Sequence, residues 1–206
     1  MKYKTEQEEF WAGKFGEEYI SRNSSEQMLA SNLNFFSRTL KNASKPVSLI
    51  EFGANIGMNL RAIQLLFPGI KLNGIEINRI AAKELGKIIG NENVSNRSIF
   101  DYEPIRQFEV SLVKGVLIHI NPEMLAVVYK KLYESSSKYI LLCEYYNPSP
   151  VTINYRGHSD RLFKRDFAGE LMQNYPDLVL VDYGFVYRND PAFPQDDITW
   201  FLLKKF

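Results

Sequence analysis

A mostly apolar run carrying one acid leads into a glycine-bearing loop at Leu49-Ile50-Glu51-Phe52-Gly53-Ala54-Asn55-Ile56-Gly57. Glycines placed where a strand turns into a helix let backbone amides and the positive end of the helix dipole come close to a ligand. The order Glu51, Gly53, Ala54, Asn55, Gly57 is an acid followed by Gly-x-Asn-x-Gly, not the Gly-x-Gly-x-x-Gly of dinucleotide loops. This register favours S-adenosylmethionine over a nicotinamide dinucleotide. Asn55 stands where a middle glycine is common, and asparagine tolerates positive φ. A tight strand-to-helix turn with packing glycines is the ligand-free explanation of the same residues.

Further candidates fall at the ends of later apolar segments. In Asn73-Gly74-Ile75-Glu76-Ile77-Asn78, Glu76 follows the loop by about twenty residues, where an acid can accept both ribose hydroxyls with Ile77 beside it. A solvated strand end or a helix cap would also place a glutamate there. Asp101, in Ile99-Phe100-Asp101-Tyr102, could accept from an adenine amino group, with Phe100 or Tyr102 against the ring, or could simply close an Asx turn. Gly115 should bring a backbone carbonyl near the methionine amino group. His119 offers a general base for a hydroxyl or amine acceptor, although a histidine at a helix start also serves as a cap or packing residue. Glu144 and His158 are the other candidate bases. Tyr19 and Arg22, within one helical turn, could fold over the cofactor and hold its carboxylate, unless they belong to a surface helix with one packed face. Between Glu144 and Asp166, Tyr146, Tyr155, Arg156, Arg161 and Lys164 suit a polar, anionic acceptor such as a sugar acid or sugar nucleotide. The alternative there is a solvated loop whose charges pair with Asp160 and Asp166. No metal-ligand set is expected.

These residues need elements to hold them. Periodicity predicts helices over Glu6 to Phe15, Ser25 to Leu40, Asn59 to Leu66, Arg79 to Ile88, Pro122 to Tyr133 and Lys164 to Met172. Strands are expected over Val47 to Phe52, Lys71 to Ile75, Val94 to Phe100, Phe108 to Lys114, Ser137 to Cys143, Leu178 to Tyr187 and Ile198 to Lys204. Alternating strands and helices imply a mostly parallel sheet, since parallel neighbours need a crossover. The last two strands have no helix between them and should pair antiparallel. The expected fold is therefore α/β and Rossmann-like: a seven-stranded, mostly parallel sheet with one antiparallel strand and helices on both faces, as in class I methyltransferases. One domain over 1–206 is expected, with a helical cap at 1–45 and a substrate-cap insertion at 144–166.

Composition narrows the function classes. Of 206 residues, 25 are Lys or Arg and 24 Asp or Glu, a net charge of +1 that gives no field to attract nucleic acid. The single cysteine, Cys143, lies in an apolar run and reads as a small core residue, which fits a reducing cytoplasm. The polar N-terminus and the lack of a long apolar stretch exclude a signal peptide or membrane span, so a cytosolic protein is expected.

With these segments in place, the chain resembles the pseudaminic acid biosynthesis-associated methylases, a group within the class I methyltransferases. The resemblance rests on Phe10-Trp11, on Gly16 to Asn23, on Ile50 to Gly57, on Lys114 to Ile120, and most distinctively on Glu144 to Pro148, Tyr155 to His158 and Leu162 to Phe167. Asp182 to Phe185 and Asp197 to Phe201 extend it. The resemblance implies S-adenosylmethionine as methyl donor, S-adenosylhomocysteine as product, and a role near nonulosonic acid or other surface-glycan synthesis, with a small-molecule acceptor left open. Two rivals stand beside it: a nicotinamide-dependent oxidoreductase on a similar sheet, and a non-catalytic ligand-binding module of a glycan assembly complex.

Overall fold

The computed structural model describes residues 3–20, 25–155 and 157–206, and for residues 158–160 the backbone only. The chain opens with two short helices, α1 (Glu6–Ala12) and α2 (Lys14–Ile20), followed by α3 (Glu26–Thr39). Sequence periodicity suggested one helix from Glu6 to Phe15, but the chain breaks at Gly13, which leaves α1 in an extended conformation at φ −94° and ψ −156°. Thr5 caps α1 by accepting from the Glu8 amide while the Glu8 carboxylate reaches back to the Thr5 amide, a reciprocal box that defines where the helix starts. Ser25 caps α3, whose Leu29, Phe35 and Phe36 are buried.

The sheet then builds outward from its centre. Strands β1 (Ser48–Phe52), β2 (Lys71–Ile75), β3 (Val94–Ser95), β4 (Phe108–Lys114) and β5 (Ser136–Glu144) alternate with α4 (Met58–Leu66), α5 (Arg79–Ile89) and α6 (Leu125–Ser135). After β5 come a hairpin of β6 (Val151–Tyr155) and β7 (His158–Lys164), helix α7 (Phe167–Asn174), and strands β8 (Leu178–Val186) and β9 (Ile198–Lys205). The seven-stranded sheet has the order β3-β2-β1-β4-β5-β9-β8. β1 pairs in parallel with both β2 and β4, so the chain reverses direction across the sheet at β1, which is where a crevice opens. Strand β9 runs antiparallel to both β5 and β8 and is the one reversed strand, as the missing helix between β8 and β9 required. Both faces are covered: one core cluster packs α3, α4 and α5 residues such as Phe36, Leu60 and Leu85 on Leu49 and Leu141, and the other packs α6 and α7 residues such as Leu132 and Leu171 on Phe52 and Ile140.

Three expectations need correction. The third strand is two residues long, not Val94 to Phe100, because Ser98 caps a 3-10 turn at Ile99–Asp101 through the Phe100 amide and takes the chain out of the sheet. The sequence pattern marks no strand in the insertion after β5, yet β6 and β7 form a separate two-stranded antiparallel sheet there. Helix α7 starts at Phe167, not Lys164, since Asp166 caps it through the Gly169 amide. No helix among the described residues is long and apolar enough to cross a membrane.

Candidate active site

The carboxyl ends of β1, β2 and β4 and the turn after β3 face one cavity of about 730 Å³. Its floor comes from the sheet, and its roof from α1, α2, the first turns of α3, Tyr155 and Leu162 of the hairpin, and the segment between β8 and β9.

The β1 loop is shaped by backbone demands. Gly53, Asn55 and Gly57 all have positive φ, at 75°, 48° and 86°. A Cβ on Gly53 would come within 2.6 Å of Val116 Cγ2, and one on Gly57 within 2.7 Å of Leu85 Cδ1, so these glycines allow the loop to pack on its neighbours. Gly53, Ala54 and Asn55 line the cavity, whereas Gly57 sits behind it at the start of α4. Asn55 Oδ1 is buried without a hydrogen-bond partner among the described residues.

Glu76 lies at the cavity wall with both oxygens engaged: Oε2 accepts from the Asn55 amide and Oε1 from the Asn78 amide, each at 2.7 Å. It therefore ties the β1 loop to the β2 loop. Burial pushes its carboxyl above the usual range, and the amides of Asn78, Asn55 and Ile77 pull it back. A carboxylate has about four acceptor sites, so with three amides on it one remains for a ligand. Ile77 also lines the cavity. Asn78, which sequence reasoning passed over as a site residue, caps α5 through the Ile80 and Ala81 amides, while its Nδ2 reaches the carbonyls of Trp11, Ala12 and Gly13 at 3.2–3.5 Å. That amide fastens the N-terminal helices onto the sheet.

At the next strand end, Phe100 and Ser98 line the cavity, but Asp101 and Tyr102 do not. Asp101 pairs with Lys4 at 2.6 Å, and Tyr102 is buried edge-on against Phe52 at 5.8 Å. The early exit of β3 causes this: the 3-10 turn rotates the residues after Phe100 away from the crevice.

Gly115, at φ 66°, lines the cavity beyond β4, and a Cβ built on it meets no atom within 4 Å. The following turn, Leu117–His119, is held from below by Glu144, whose Oε1 accepts from the Val116 and Leu117 amides at 3.0 Å and whose Oε2 accepts from Ile118 at 3.4 Å. Burial raises the Glu144 carboxyl to about 7 against the pull of those three amides. Glu144 thus lies under the loop and outside the cavity lining, with its oxygens facing backbone donors. Glu51 also sits behind the wall, fully buried, with Oε1 accepting from Asn59 at 2.6 Å; burial pushes its carboxyl up to about 8, and Lys114 opposes this.

His119 does line the cavity. Its Nδ1 lies 2.6 Å from the Arg161 carbonyl, which can only accept, so Nδ1 carries the hydrogen and Nε2 keeps its lone pair. The ring lies between Trp11 and Tyr155, with centroids at 4.8 and 5.2 Å. Burial lowers its pKa to about 4, so the ring is neutral at ordinary pH.

Tyr19 and Tyr155 line the cavity; Tyr146, Arg161 and Lys164 do not. The residue turned inward after β5 is Tyr145, and Tyr146 points outward against Phe201 at 6.0 Å, the one-residue alternation of an extended chain. Arg161 pairs with Glu6 at 3.0 Å, and Lys164 lies 5.2 Å over the Tyr145 ring. Arg22, Arg156 and the His158 side chain lie outside the described residues. Sequence reasoning missed Arg97, Lys114, Arg188, Gln195 and Asp196, which also line the cavity. Gln195 reaches it by donating to Asn32 Oδ1 at 2.9 Å, a contact between residues far apart in the chain that no local pattern announces.

No protein-family model matches the chain, and no curated protein sequence matches it. Solved structures do. Burkholderia thailandensis 1,6-didemethyltoxoflavin-N1-methyltransferase, solved with 1,6-didemethyltoxoflavin and S-adenosylhomocysteine, superposes with a TM-score of 0.70 at 13% identity over 97% of this chain and 86% of that one. Magnesium protoporphyrin IX methyltransferase from Synechocystis, with S-adenosylhomocysteine bound, gives 0.71 at 9% identity over 97% of each chain. A S-adenosylmethionine-dependent methyltransferase from Archaeoglobus fulgidus gives 0.67 at 13% identity over 93% of this chain and 100% of that one. At such identities the likeness is one of fold: this chain has the class I methyltransferase fold.

Proposed function

We propose that this protein is a S-adenosylmethionine-dependent methyltransferase acting on a small polar acceptor. The observation that carries the reading is the convergence of Gly53 to Asn55, Glu76, Phe100 and Gly115 on one cavity at the head of a class I methyltransferase sheet. The wall fits the cofactor in two further respects: Asn55 Oδ1 is a buried acceptor without a partner, and Gly115 leaves space that a side chain would fill.

Gly53, Ala54, Asn55 and Gly115 would hold the amino-acid portion, Glu76 the ribose through its remaining acceptor site, and Phe100 the adenine face. Phe100 replaces Asp101 and Tyr102 in this assignment. When bound, S-adenosylmethionine supplies a methyl carbon activated by a sulfonium. The protein's own work is to orient the acceptor and keep water out, which the roof of α1, α2 and the hairpin serves. His119 is the base for an acceptor that must lose a proton, because its Nε2 lone pair is fixed by the Arg161 carbonyl on the other ring nitrogen. Glu144 holds the turn that carries it.

The resemblance to the pseudaminic acid-associated methylases supports a sugar derivative of nonulosonic acid or other surface-glycan synthesis as acceptor, with S-adenosylhomocysteine released. Incubation with methyl-labelled S-adenosylmethionine and sugar precursors of nonulosonic acids, followed by mass spectrometry, tests this. Label in one acceptor with stoichiometric S-adenosylhomocysteine is expected. Cofactor binding without any S-adenosylhomocysteine formed would favour a non-catalytic module instead.

A further inference from the structure

The acceptor end of the cavity has a chemistry of its own. Trp11 stands 5.4 Å from Tyr19 and 4.8 Å from His119, which stands 5.2 Å from Tyr155. Tyr145 belongs to the same group, since Tyr19 and Tyr155 both act on its hydroxyl, and that hydroxyl engages the Asp196 carboxylate. All six residues line the cavity.

The charges around this wall are unequal in their engagement. Arg161 is committed to Glu6 at 3.0 Å and does not line the cavity, and Lys164 lies outside it over Tyr145. Arg188 does line it but sits 3.5 Å from the Asp197 carboxylate. Lys114 and Arg97 belong to the other end, at the heads of β4 and β3, with Lys114 over Phe35 at 5.6 Å. Asp196, by contrast, has no ion-pair partner among the described residues. Electron-rich rings beside an unneutralised carboxylate attract a cation, and a ring face of a sugar or similar compound packs on the same aromatics.

Resting on the methyltransferase reading, we propose that this aromatic wall and Asp196 recognise a ring-borne amine in its ammonium form, rather than the carboxylate of a sugar acid. The expected acceptor class is an amino sugar or a comparable cyclic amine; the held ammonium has no lone pair, so it anchors the ring while a hydroxyl of the same ring attacks the methyl carbon, its proton passing to His119 Nε2 as the carbon–sulfur bond breaks.

The test is a titration of the full chain, saturated with S-adenosylhomocysteine, with glucosamine, N-acetylglucosamine and glucuronic acid as probes, followed by calorimetry and by the fluorescence of Trp11 in a Trp200→Phe background. Glucosamine should bind about tenfold more tightly than either of the others, the order expected of a cation held by rings and a carboxylate. Asp196→Asn and Tyr155→Leu should each remove that preference while S-adenosylhomocysteine affinity is unchanged, and Tyr155→Phe should restore it. Failure of glucosamine to bind at millimolar concentration, equal or tighter binding of glucuronic acid, or a preference untouched by Asp196→Asn would overturn the proposal. If S-adenosylhomocysteine itself does not bind, the methyltransferase reading falls, and the same titration of the free protein still decides the amine question.

Discussion

Glu76 and Glu51 are both carboxylates buried at the head of the sheet, yet they are put to different use by what reaches them. Glu76 lines the cavity and has an acceptor site to spare, so Glu76→Ala should weaken S-adenosylhomocysteine binding by about 1–3 kcal/mol through the ribose left without a charged partner. Calorimetry would read this, and unchanged affinity would remove Glu76 from the site. Glu51 is fully buried outside the cavity lining, and that burial pushes it up to about 8 from an ordinary 4.5. Between those values the folded chain holds a proton that the unfolded chain has lost, so this group makes stability fall as pH rises. Glu144, raised to about 7, adds to the fall in the lower part of the window. Glu51→Gln should therefore flatten the denaturant midpoint between pH 5 and 8, most clearly above 7; the same slope as the parent chain would contradict the burial argument. Gly115 offers a sharper probe of occupancy. A methyl group there costs about 1 kcal/mol for its left-handed backbone but meets no protein atom, so Gly115→Ala should lower S-adenosylhomocysteine affinity by more than its effect on folding. Equal affinity would mean that the ligand passes elsewhere.

At the scale of elements, the N-terminal helix pair is a roof held by side chains of the sheet loops. Asn78 does two jobs, capping α5 with its oxygen and binding three roof carbonyls with its nitrogen. Asn78→Asp keeps the capping oxygen and removes the donor. The expected result is faster proteolysis of α1 and α2 with a loss of global stability of about 1–3 kcal/mol, because the new carboxylate is buried beside Glu76 and faces three carbonyls, and unchanged cleavage would show that the roof is held by Arg161–Glu6 and Trp11–His119 instead. The same elements show what was legible beforehand. β2 was readable to the residue because apolar positions and the Phe67-Pro68-Gly69 break bounded it. β3 was overrun because Val94, Ile99 and Phe100 are apolar, and nothing local reveals that Ser98 turns the chain between them. The Tyr145–Tyr146 choice depended on a register fixed by β9, and the cavity residues after β8 depended on a contact with α3. Glu144 and Arg161 were noticed for their residue types, but their roles come from backbone groups that close only in the folded chain.

For the molecule as a whole, a formal charge of +1 leaves recognition to the cavity rather than to a long-range field. The sheet order, the reversed β9 and the crevice at β1 match those of solved class I methyltransferases across 93–97% of the chain in the comparisons above, although only 9–13% of residues are identical. At so little identity the shared feature is the fold, and on the proposed reading the aromatic wall is the individual part of this protein. The identity of the donor is decided most directly by calorimetric titration of the purified chain with S-adenosylmethionine, S-adenosylhomocysteine and NAD. One-to-one binding of both adenosyl ligands with no heat from NAD is the predicted result. Binding of NAD with none of either adenosyl ligand would contradict it.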